Sequence, residues 1–420
     1  MLILHAADIH LDSPMVGLDA YEGCPREALR GATRRALENL VRAALDERAG
    51  LLLIAGDLYD GDWKDHQTGL YFASQMRRLA EASIPVVLLR GNHDAASEIT
   101  KRVHLPPNVR ELSVDAPETI LFEDLGVAVH GRGFPERDVR EDYARTYPEP
   151  RRGYFNVGLL HTALHGRPGH ELYAPTTLNV LVDRGYDYWA LGHVHQTEIL
   201  HTDPHVIFPG NLQGRHIQET GPKGAFALTI EDGRLLHARH RTFDHVRYAD
   251  CRLEAQPDDS WDDVVDRVRD TLMGPIARAD GRLLAARIRV VGSPRAHRKI
   301  VRERDAFIAE VRSVAGEVGQ DRVWLGDVRV ETRAPFDFET SAATNDPLSH
   351  LLRAITAART DPAVLASLAA ELTDLASKLP KGLRDDPEFR FLDEPDALGP
   401  VLDDVREILV ARLMPPGDEG

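Results

Sequence analysis

Short apolar runs alternate with amphipathic segments through the first half of this chain. The runs have the length of strands and end at glycine or a polar residue, so they predict strands buried on both faces. They are Met1–Ala6, Leu51–Ala55, Ile84–Leu89, Asn156–Leu160 and Tyr186–Leu191. The segments between them carry apolar residues at helical spacing. These are Arg26–Arg48, His66–Ala82 and Thr177–Arg184. The alternation predicts an α/β fold.

The pattern changes after Asn211. Ala225–Ile230 and Leu235–Arg241 flank a Glu-Asp-Gly turn and predict a hairpin. A βαβαβ run then predicts a small α+β domain. Its segments are Arg247–Glu254, Trp261–Leu272, Leu283–Val291, Lys299–Val314 and Val323–Glu331. The next segment has turn-forming residues and little periodicity, as a linker has, and the chain ends in two Ala- and Leu-rich helical segments, Pro347–Leu379 and Asp396–Leu413. The predicted divisions are 1–245, 246–333, 334–346 and 347–420.

Polar residues suited to metal binding stand at the ends of the predicted strands. They fall in five short islands and are Asp8, His10, Asp57, Asn92, His161, His193 and His195, with His93 beside Asn92. Open α/β sheets place their sites at the carboxyl ends of strands, so these side chains should converge. Two divalent ions about 3.5–4 Å apart can clamp the attacking and leaving oxygens of a phosphate. Oxygen and imidazole ligands suit Mn²⁺, Mg²⁺, Zn²⁺ or Fe.

Each island alone has an ordinary interpretation. Gly-Asp and Gly-Asn-His-Asp are common turn sequences, and His193 and His195 can be two strand-end histidines. Five islands in this order, each after a predicted strand, favour a metal site over that interpretation. The other histidines are interpreted as packing, surface or hydrogen-bonding groups. They are His5, His104, His130, His165, His170, His201, His205 and His216.

The composition excludes several classes of protein. Only two cysteines occur, Cys24 and Cys251, which argues against a disulfide scaffold and a thiolate zinc site. The sequence contains no stretch of about 18 apolar residues, so it predicts no membrane span. The N-terminus lacks the basic start of a signal peptide, so we expect a cytoplasmic protein. The net charge of -16 is unfavourable for binding DNA over the whole surface. A nucleic-acid substrate would need a local basic patch, the metals or a partner subunit.

Residues 1–216 resemble the calcineurin-like metallophosphoesterases, and within them the SbcD-type DNA-repair exonucleases. The tracts HAADIHLDSP, GDLYDGDWKDHQTG and GNHDAASEITKRVHLPPNV are similar to the YhaO branch. SbcD-type chains commonly place Pro-Ser after the acidic residue that is Asp60 here, where this chain has Gly61 and Asp62. That difference supports the YhaO branch and leaves the substrate preference open. The segment 247–331 resembles the small capping domain of these exonucleases in pattern only.

The resemblance implies a metallophosphoesterase β-sandwich flanked by helices, with two metal sites that share Asp57. The ligands of the first site would be Asp8, His10, Asp57 and His195, and those of the second Asp57, Asn92, His161 and His193. His93 would protonate the leaving oxygen, and Asp94 would orient its ring. Mn²⁺ is expected first, with Mg²⁺, Zn²⁺ or Fe as alternatives.

Three function classes stay open at this point. The first is a DNA exonuclease or endonuclease of DNA repair. The second is another phosphoesterase, such as a protein phosphatase or a cyclic-nucleotide hydrolase, but the extra domain after residue 247 argues against it. The third is a scaffold without activity, and the complete ligand set argues against that.

Two further expectations concern the substrate and a partner. Arg215 follows a Pro-Gly turn and suits bidentate contact with a phosphate, although it can also be a solvated surface residue. SbcD-type nucleases bind an SMC-like ATPase through C-terminal helices, so the resemblance implies a YhaN-like one here. The apolar stripes that would dock it are equally typical of packing within the chain. They contain Leu348, Leu351, Leu352, Ile355, Leu365, Leu368, Leu372 and Leu375. A homodimer is also possible.

Overall fold

The computed structural model describes residues 1–13, 23–60, 66–96, 104–164, 173–334, 347–378 and 397–413. The chain forms two compact units, and the main boundary between them falls between Ala249 and Asp250. The predicted linker beyond Ala334 lies outside the described residues, as do His165 and His170. Within the described ranges, no helix is long and apolar enough to cross a membrane.

The first unit contains two six-stranded sheets. In the first sheet the strand order is β12-β11-β1-β2-β3-β4. Neighbours among β1 to β4 run parallel, and β11 and β12 extend the β1 edge as an antiparallel hairpin. The strands are β1 Leu2–Ala6, β2 Leu51–Ala55, β3 Val86–Leu89, β4 Val109–Glu111, β11 Gly224–Glu231 and β12 Arg234–Thr242.

The second sheet has the order β5-β6-β7-β8-β10-β9. The four inner strands run parallel to one another, and each edge strand is antiparallel to the inner strand beside it. The strands are β5 Glu118–Phe122, β6 Val127–Gly131, β7 Phe155–His161, β8 Tyr188–Gly192, β9 Glu198–Thr202 and β10 His205–Phe208.

The two sheets form a sandwich with helices on both outer faces. Alternate side chains of β2 explain its continuous apolar run: Leu51 and Leu53 lie in the core between the sheets, and Leu52 and Ile54 pack beneath the outer helices. The predicted β-sandwich flanked by helices is therefore confirmed. The helices of this unit are α1 Arg26–Arg30, α2 Ala32–Asp46, α3 His66–Glu81, α4 Asn92–Ala96 and α5 Leu178–Asp183. The single helix predicted over Arg26–Arg48 is two helices, because Gly31 ends α1.

The second unit begins with a three-stranded sheet in the order β13-β14-β15. The strands are β13 Val246–Ala255, which starts in the first unit, β14 Leu283–Gly292 and β15 Val323–Thr332. The helices are α6 Trp261–Ala279, α7 His297–Arg302 and α8 Arg304–Gly319. A capping box between Ser260 and Asp263 starts α6. The helix predicted over Lys299–Val314 is divided at Glu303, which has a non-helical backbone.

Three more helices follow in the second unit, Pro347–Thr360, Pro362–Lys378 and Leu398–Leu413. The long helix predicted over Pro347–Leu379 is interrupted at Asp361, since the residue before a proline avoids the helical conformation. Leu352 and Leu365 are buried, so part of the predicted stripes packs within the chain. The side chains of Leu348 and Leu375 lie outside the described residues.

Candidate metal centre

The predicted ligands stand on neighbouring strands of both sheets. Asp8 and His10 follow β1, and Asp57 follows β2. Asn92 follows β3, and the second sheet contributes His161, the last residue of β7. His193 and His195 follow β8. Because β1, β2 and β3 are adjacent and β7 and β8 are adjacent, their carboxyl ends bring these side chains together.

One cluster consists of Asp8, His10 and His195, whose ligand atoms lie within 4.8 Å of one another. The Nε2 atoms of His10 and His195 are 3.2 Å apart. His195 Nε2 lies 4.0 Å from Asp8 Oδ1, and His10 Nε2 lies 3.9 Å from Asp57 Oδ2. Burial, followed by the nearby charge of Arg215, lowers the pKa of His10 to about 3, which keeps its ring neutral and available as a ligand.

A second cluster consists of Asp57, His161 and His193. His161 Nε2 lies 3.4 Å from Asp57 Oδ2 and 2.9 Å from Asn92 Oδ1. Asp57 therefore faces both clusters, and its carboxylate approaches a histidine of each. A bridging carboxylate with two oxygens suits this position.

The chemistry of the donor atoms fits a cation. His161 Nδ1 lies 2.9 Å from the carbonyl oxygen of Ala55 and donates to it, which leaves Nε2 facing the oxygens of Asn92 and Asp57. A neutral His161 would direct a lone pair at two acceptors, so this place needs a proton or a cation. Burial lowers the pKa of His161, but the Asp57 carboxylate outweighs it and raises the pKa to about 9, so a proton holds this place when no ion is bound. The group of nitrogen and oxygen atoms is one that divalent transition metals bind.

The backbone beneath the clusters is strained. The φ angles of Asp8, His10, Asp57 and His193 are 49°, 43°, 51° and 105°, in a region that non-glycine residues rarely adopt. Strain of this kind collects at functional sites, where the surrounding structure holds it. Gly91 lets the backbone approach closely, because a Cβ there would meet the backbone nitrogen of Asp57 at 2.8 Å.

His93 is paired with Asp60. His93 Nδ1 lies 3.0 Å from Asp60 Oδ1, and the ring of His93 is about one-third exposed. Asp94, which was predicted to orient this ring, makes its described hydrogen bonds to other groups. Asp94 is buried and its oxygens accept hydrogen bonds from backbone N–H groups, those of Leu58, Tyr59 and Gly91. Burial lowers the pKa of His93, but the bond to Asp60 outweighs it and raises the pKa above its usual range.

Two acidic residues at this site were absent from the sequence prediction. Asp60 is the second aspartate of Gly-Asp-Leu-Tyr-Asp, so the repeat of acidic residues was an available signal. Glu219 lies in the segment before β11, and its Oε1 is 2.7 Å from His195 Nδ1. Nothing in the local sequence of Glu219 indicates this contact, since it joins residues from different strand ends.

Arg215 lies beside the two clusters, with its guanidinium directed at carboxylates. Its Nη1 is 3.5 Å from Asp60 Oδ2, and its Nη2 is 3.3 Å from Glu219 Oε1. The side chain is 17% exposed, so it is not the solvated surface arginine of the alternative interpretation. His216, interpreted from sequence as a packing or surface residue, is also near, with Nε2 3.6 Å from Glu219 Oε1.

Comparison with known proteins agrees with this arrangement. Residues 1–197 match the model of the calcineurin-like phosphoesterase family, and residues 248–333 match the middle domain of the metallophosphoesterase YhaO. The uncharacterized metallophosphoesterase YhaO of Bacillus subtilis is 34% identical over 248 residues, which are 58% of this chain and 61% of that protein. The DNA double-strand break repair protein Mre11 of Methanopyrus kandleri is 29% identical over 269 residues, or 58% of this chain and 53% of that protein.

Among solved structures, TT1561 of Thermus thermophilus matches with a TM-score of 0.33 and 16% identity, over 57% of this chain and 98% of that one. The matched part of this chain spans less than two thirds of the length of the two curated relatives, YhaO and Mre11. Residues 1–197 are therefore a calcineurin-like metallophosphoesterase domain, and residues 248–333 after it match the middle domain of YhaO.

Proposed function

We propose that this chain is a two-metal phosphodiesterase that hydrolyses DNA, as an exonuclease or endonuclease of DNA repair. The observation that carries the proposal is the pair of Asp and His clusters on either side of Asp57, with the His93–Asp60 pair beside them. The named repair function of the Mre11 relative supports DNA as the substrate. The name of the YhaO relative supports phosphoester hydrolysis alone.

The two clusters define two ligand sets. We assign the first ion to Asp8, His10, Asp57 and His195, and the second to Asp57, Asn92, His161 and His193. Mn²⁺ is the ion we propose, since carboxylate, amide and imidazole donors occur together. When bound, two divalent ions supply positive charge that activates water and stabilises the phosphate in the transition state. Asn92 is a neutral donor, so the sets do not accumulate excess negative charge.

His93 is the proposed proton donor to the leaving oxygen. Its Nδ1 is held by Asp60 at 3.0 Å, so the ring orientation is fixed and Nε2 remains for the substrate. The Asp60 carboxylate raises the pKa of His93, which favours the protonated ring that a general acid requires. The partial exposure of the ring gives a substrate access to it.

Arg215 is the proposed contact to the phosphate backbone. Its guanidinium lies within 3.5 Å of Asp60, the partner of His93, and so stands on the side where the leaving group would be. Its planar donors match two phosphate oxygens at once. The carboxylates of Asp60 and Glu219 already face the guanidinium nitrogens of Arg215. A bound phosphate would therefore contact a guanidinium that also contacts these two carboxylates.

The experiment that tests the function is digestion of end-labelled single- and double-stranded DNA by the purified chain. Reactions contain Mn²⁺, Mg²⁺ or EDTA, and parallel reactions contain a phosphopeptide or a cyclic nucleotide. We expect metal-dependent shortening of DNA and no release of phosphate from the peptide. Hydrolysis of the peptide or the cyclic nucleotide without cleavage of DNA would reject the nuclease in favour of another phosphoesterase. Inactivity on every substrate with both metals bound would favour the scaffold.

We also propose a division of labour along the chain. Residues 1–245 would carry the chemistry, 246–333 would act as a capping domain, and the helices after residue 347 would bind an SMC-like ATPase. Support for the partner comes from the acidic chain, with a net charge of -16, which leaves DNA capture to another subunit. Val364, Val405 and Ile408 are exposed apolar residues on the last two helices and offer a surface for it.

A further inference from the structure

Glu219 is a buried carboxylate with several hydrogen bonds directed at one histidine and its surroundings. Glu219 as a whole residue is 8% exposed. Oε1 accepts from His195 Nδ1 at 2.7 Å. Oε2 accepts from Asn211 Nδ2 at 2.9 Å and from the backbone N–H of Arg215 at 2.7 Å. Both oxygens are therefore engaged, and the carboxylate has one position in the fold.

The contact to Glu219 decides which ring nitrogen of His195 carries the proton. Glu219 Oε1, at 2.7 Å, lies closer to His195 Nδ1 than the guanidinium nitrogen Nη2 of Arg215 does, at 3.2 Å. A carboxylate oxygen accepts, so Nδ1 donates to it and Nε2 keeps its lone pair. That lone pair points into the cluster, where Nε2 lies 3.2 Å from His10 Nε2 and 4.0 Å from Asp8 Oδ1. A carboxylate on the far nitrogen also makes a metal-binding imidazole more basic.

A second contact holds the backbone of the same histidine. Lys223 Nζ donates to the carbonyl oxygen of His195 at 2.7 Å. The Lys223 residue is 6% exposed, and the bond is partly buried. The segment from Asn211 to Lys223 therefore holds His195 at its ring and at its main chain. Among the other ligand histidines, His10 has a carboxylate near its far nitrogen at a longer distance, with Asp60 Oδ1 3.7 Å from His10 Nδ1.

We propose that Glu219 is a positioning residue that holds His195 in the tautomer and orientation needed to bind the ion of the first cluster. The inference rests on the proposed two-metal function and extends it to a residue that touches neither substrate nor ion. It predicts that loss of the Glu219 charge weakens one metal site and spares the other, because His161 Nδ1 is held by the carbonyl of Ala55.

The test uses the full chain with Glu219→Gln, which keeps the size of the side chain and an oxygen for Asn211. Mn²⁺ binding is titrated by isothermal calorimetry and by electron paramagnetic resonance, and the absorption spectrum of the Co²⁺ form is recorded. We expect affinity at one of two sites to fall by about 10- to 100-fold, as is typical when the partner of a ligand histidine is removed. The other site should keep its affinity, and the Co²⁺ spectrum should change for one ion.

Asp259→Asn is the matched control. Asp259 is also a buried carboxylate, 6% exposed, and it accepts from the Arg267 guanidinium at 2.6 and 3.0 Å. It belongs to the second unit. Removing its charge should lower the melting temperature and leave both Mn²⁺ affinities unchanged.

Two results would overturn the inference. Wild-type affinity at both sites of the Glu219 variant would show that His195 needs no carboxylate. Equal weakening of both sites, with a matching fall in the melting temperature, would show that Glu219 supports the fold alone. A wild-type chain that binds two ions and does not cut DNA rejects the nuclease and leaves this inference standing. A wild-type chain that binds no Mn²⁺ rejects both.

Discussion

At the scale of single residues, helix geometry gives His93 and Asp94 different partners. His93 and Asp94 are consecutive in α4, and consecutive helical residues do not face each other. His93 therefore turns to Asp60, three residues after Asp57, while Asp94 turns inward to backbone N–H groups. The ligand types were predictable from the sequence because each follows a strand. The partners of those side chains were not, since they come from other strand ends.

The first prediction separates proton transfer from metal binding. His93→Ala should keep both metals and lower kcat by about 10²- to 10⁴-fold, the usual contribution of a positioned acid. Asp57→Ala should instead lose metal, because its carboxylate faces both clusters. Metal content and the rate on a small phosphodiester are measured for both variants. Full metal occupancy in the Asp57 variant would reject the bridging assignment.

The second prediction concerns Arg215. Arg215→Ala should weaken binding of DNA, as a phosphate contact requires. Because Arg215 also lies 3.5 Å from Asp60, we expect a smaller loss of kcat on a small phosphodiester. Binding of labelled DNA and kcat are measured separately, with Arg239→Ala on β12 as an exposed control. Unchanged DNA affinity would remove the substrate role and leave Arg215 as a partner of the two carboxylates.

The third prediction is a pH dependence of stability. His5 is buried and neutral, with Nδ1 2.9 Å from the Tyr188 hydroxyl and Nε2 3.1 Å from the Leu191 carbonyl. Burial lowers the pKa of His5 to about 3, below the value of about 6.5 in the unfolded chain. The unfolded state therefore binds a proton first, and stability is lost as pH falls from about 6.5 towards 3.

His5→Gln should remove this part of the pH dependence. Between pH 7 and pH 5 the wild type should lose about 2 kcal/mol more stability than the variant, as linkage gives for one such group. Urea unfolding of the metal-free chain at both pH values measures this difference in unfolding free energy. His237→Gln, at an exposed position, is the control and should behave as the wild type. An equal loss of unfolding free energy between pH 7 and pH 5 in His5→Gln and wild type would contradict the prediction.

At the scale of elements, the buried parallel strands were the predictable part of the fold. β1, β2, β3, β7 and β8 have continuous apolar runs because both of their faces are covered. The strands missed by the sequence analysis are β4, β5 and β6. β4 and β5 are short and lie at sheet edges, where one face meets water and charged residues interrupt the pattern. Their pairing is set by the sandwich and has no strong local signal.

The fourth prediction tests the turn between β3 and α4. Gly91→Ala should impair metal binding, because its Cβ would overlap the Asp57 carboxylate and displace it. Gly316→Ala in α8 is the control, with open space around its Cβ. That change should stabilise the chain by about 0.5–1 kcal/mol, as alanine does in a helix interior. Mn²⁺ affinity and melting temperature are measured, and normal affinity in the Gly91 variant would contradict the expected displacement.

At the scale of the whole molecule, the net charge constrains how the site would bind DNA. A chain with a net charge of -16 repels a polyanion over most of its surface. The centre itself would offer positive charge through the proposed ions and Arg215. The sequence predicted the order of the segments, but it could not separate stripe residues that pack internally from those that remain exposed. Within one stripe, Leu352 is 2% exposed, whereas Leu351 and Ile355 are only partly buried.

The last prediction concerns the proposed ATPase partner. Val364 and Ile408 are 37% and 43% exposed, so replacing them leaves the buried leucines of these helices in place. The double variant Val364→Asp with Ile408→Asp should fold and keep metal-dependent activity, yet fail to co-purify with an SMC-like ATPase, because docking of apolar helix faces does not tolerate buried charge. Leu236→Asp is the control, since Leu236 is 49% exposed on β12 of the first unit. Undiminished co-purification of the double variant would place the docking surface elsewhere, and equal loss with Leu236→Asp would point to a general effect of the added charge.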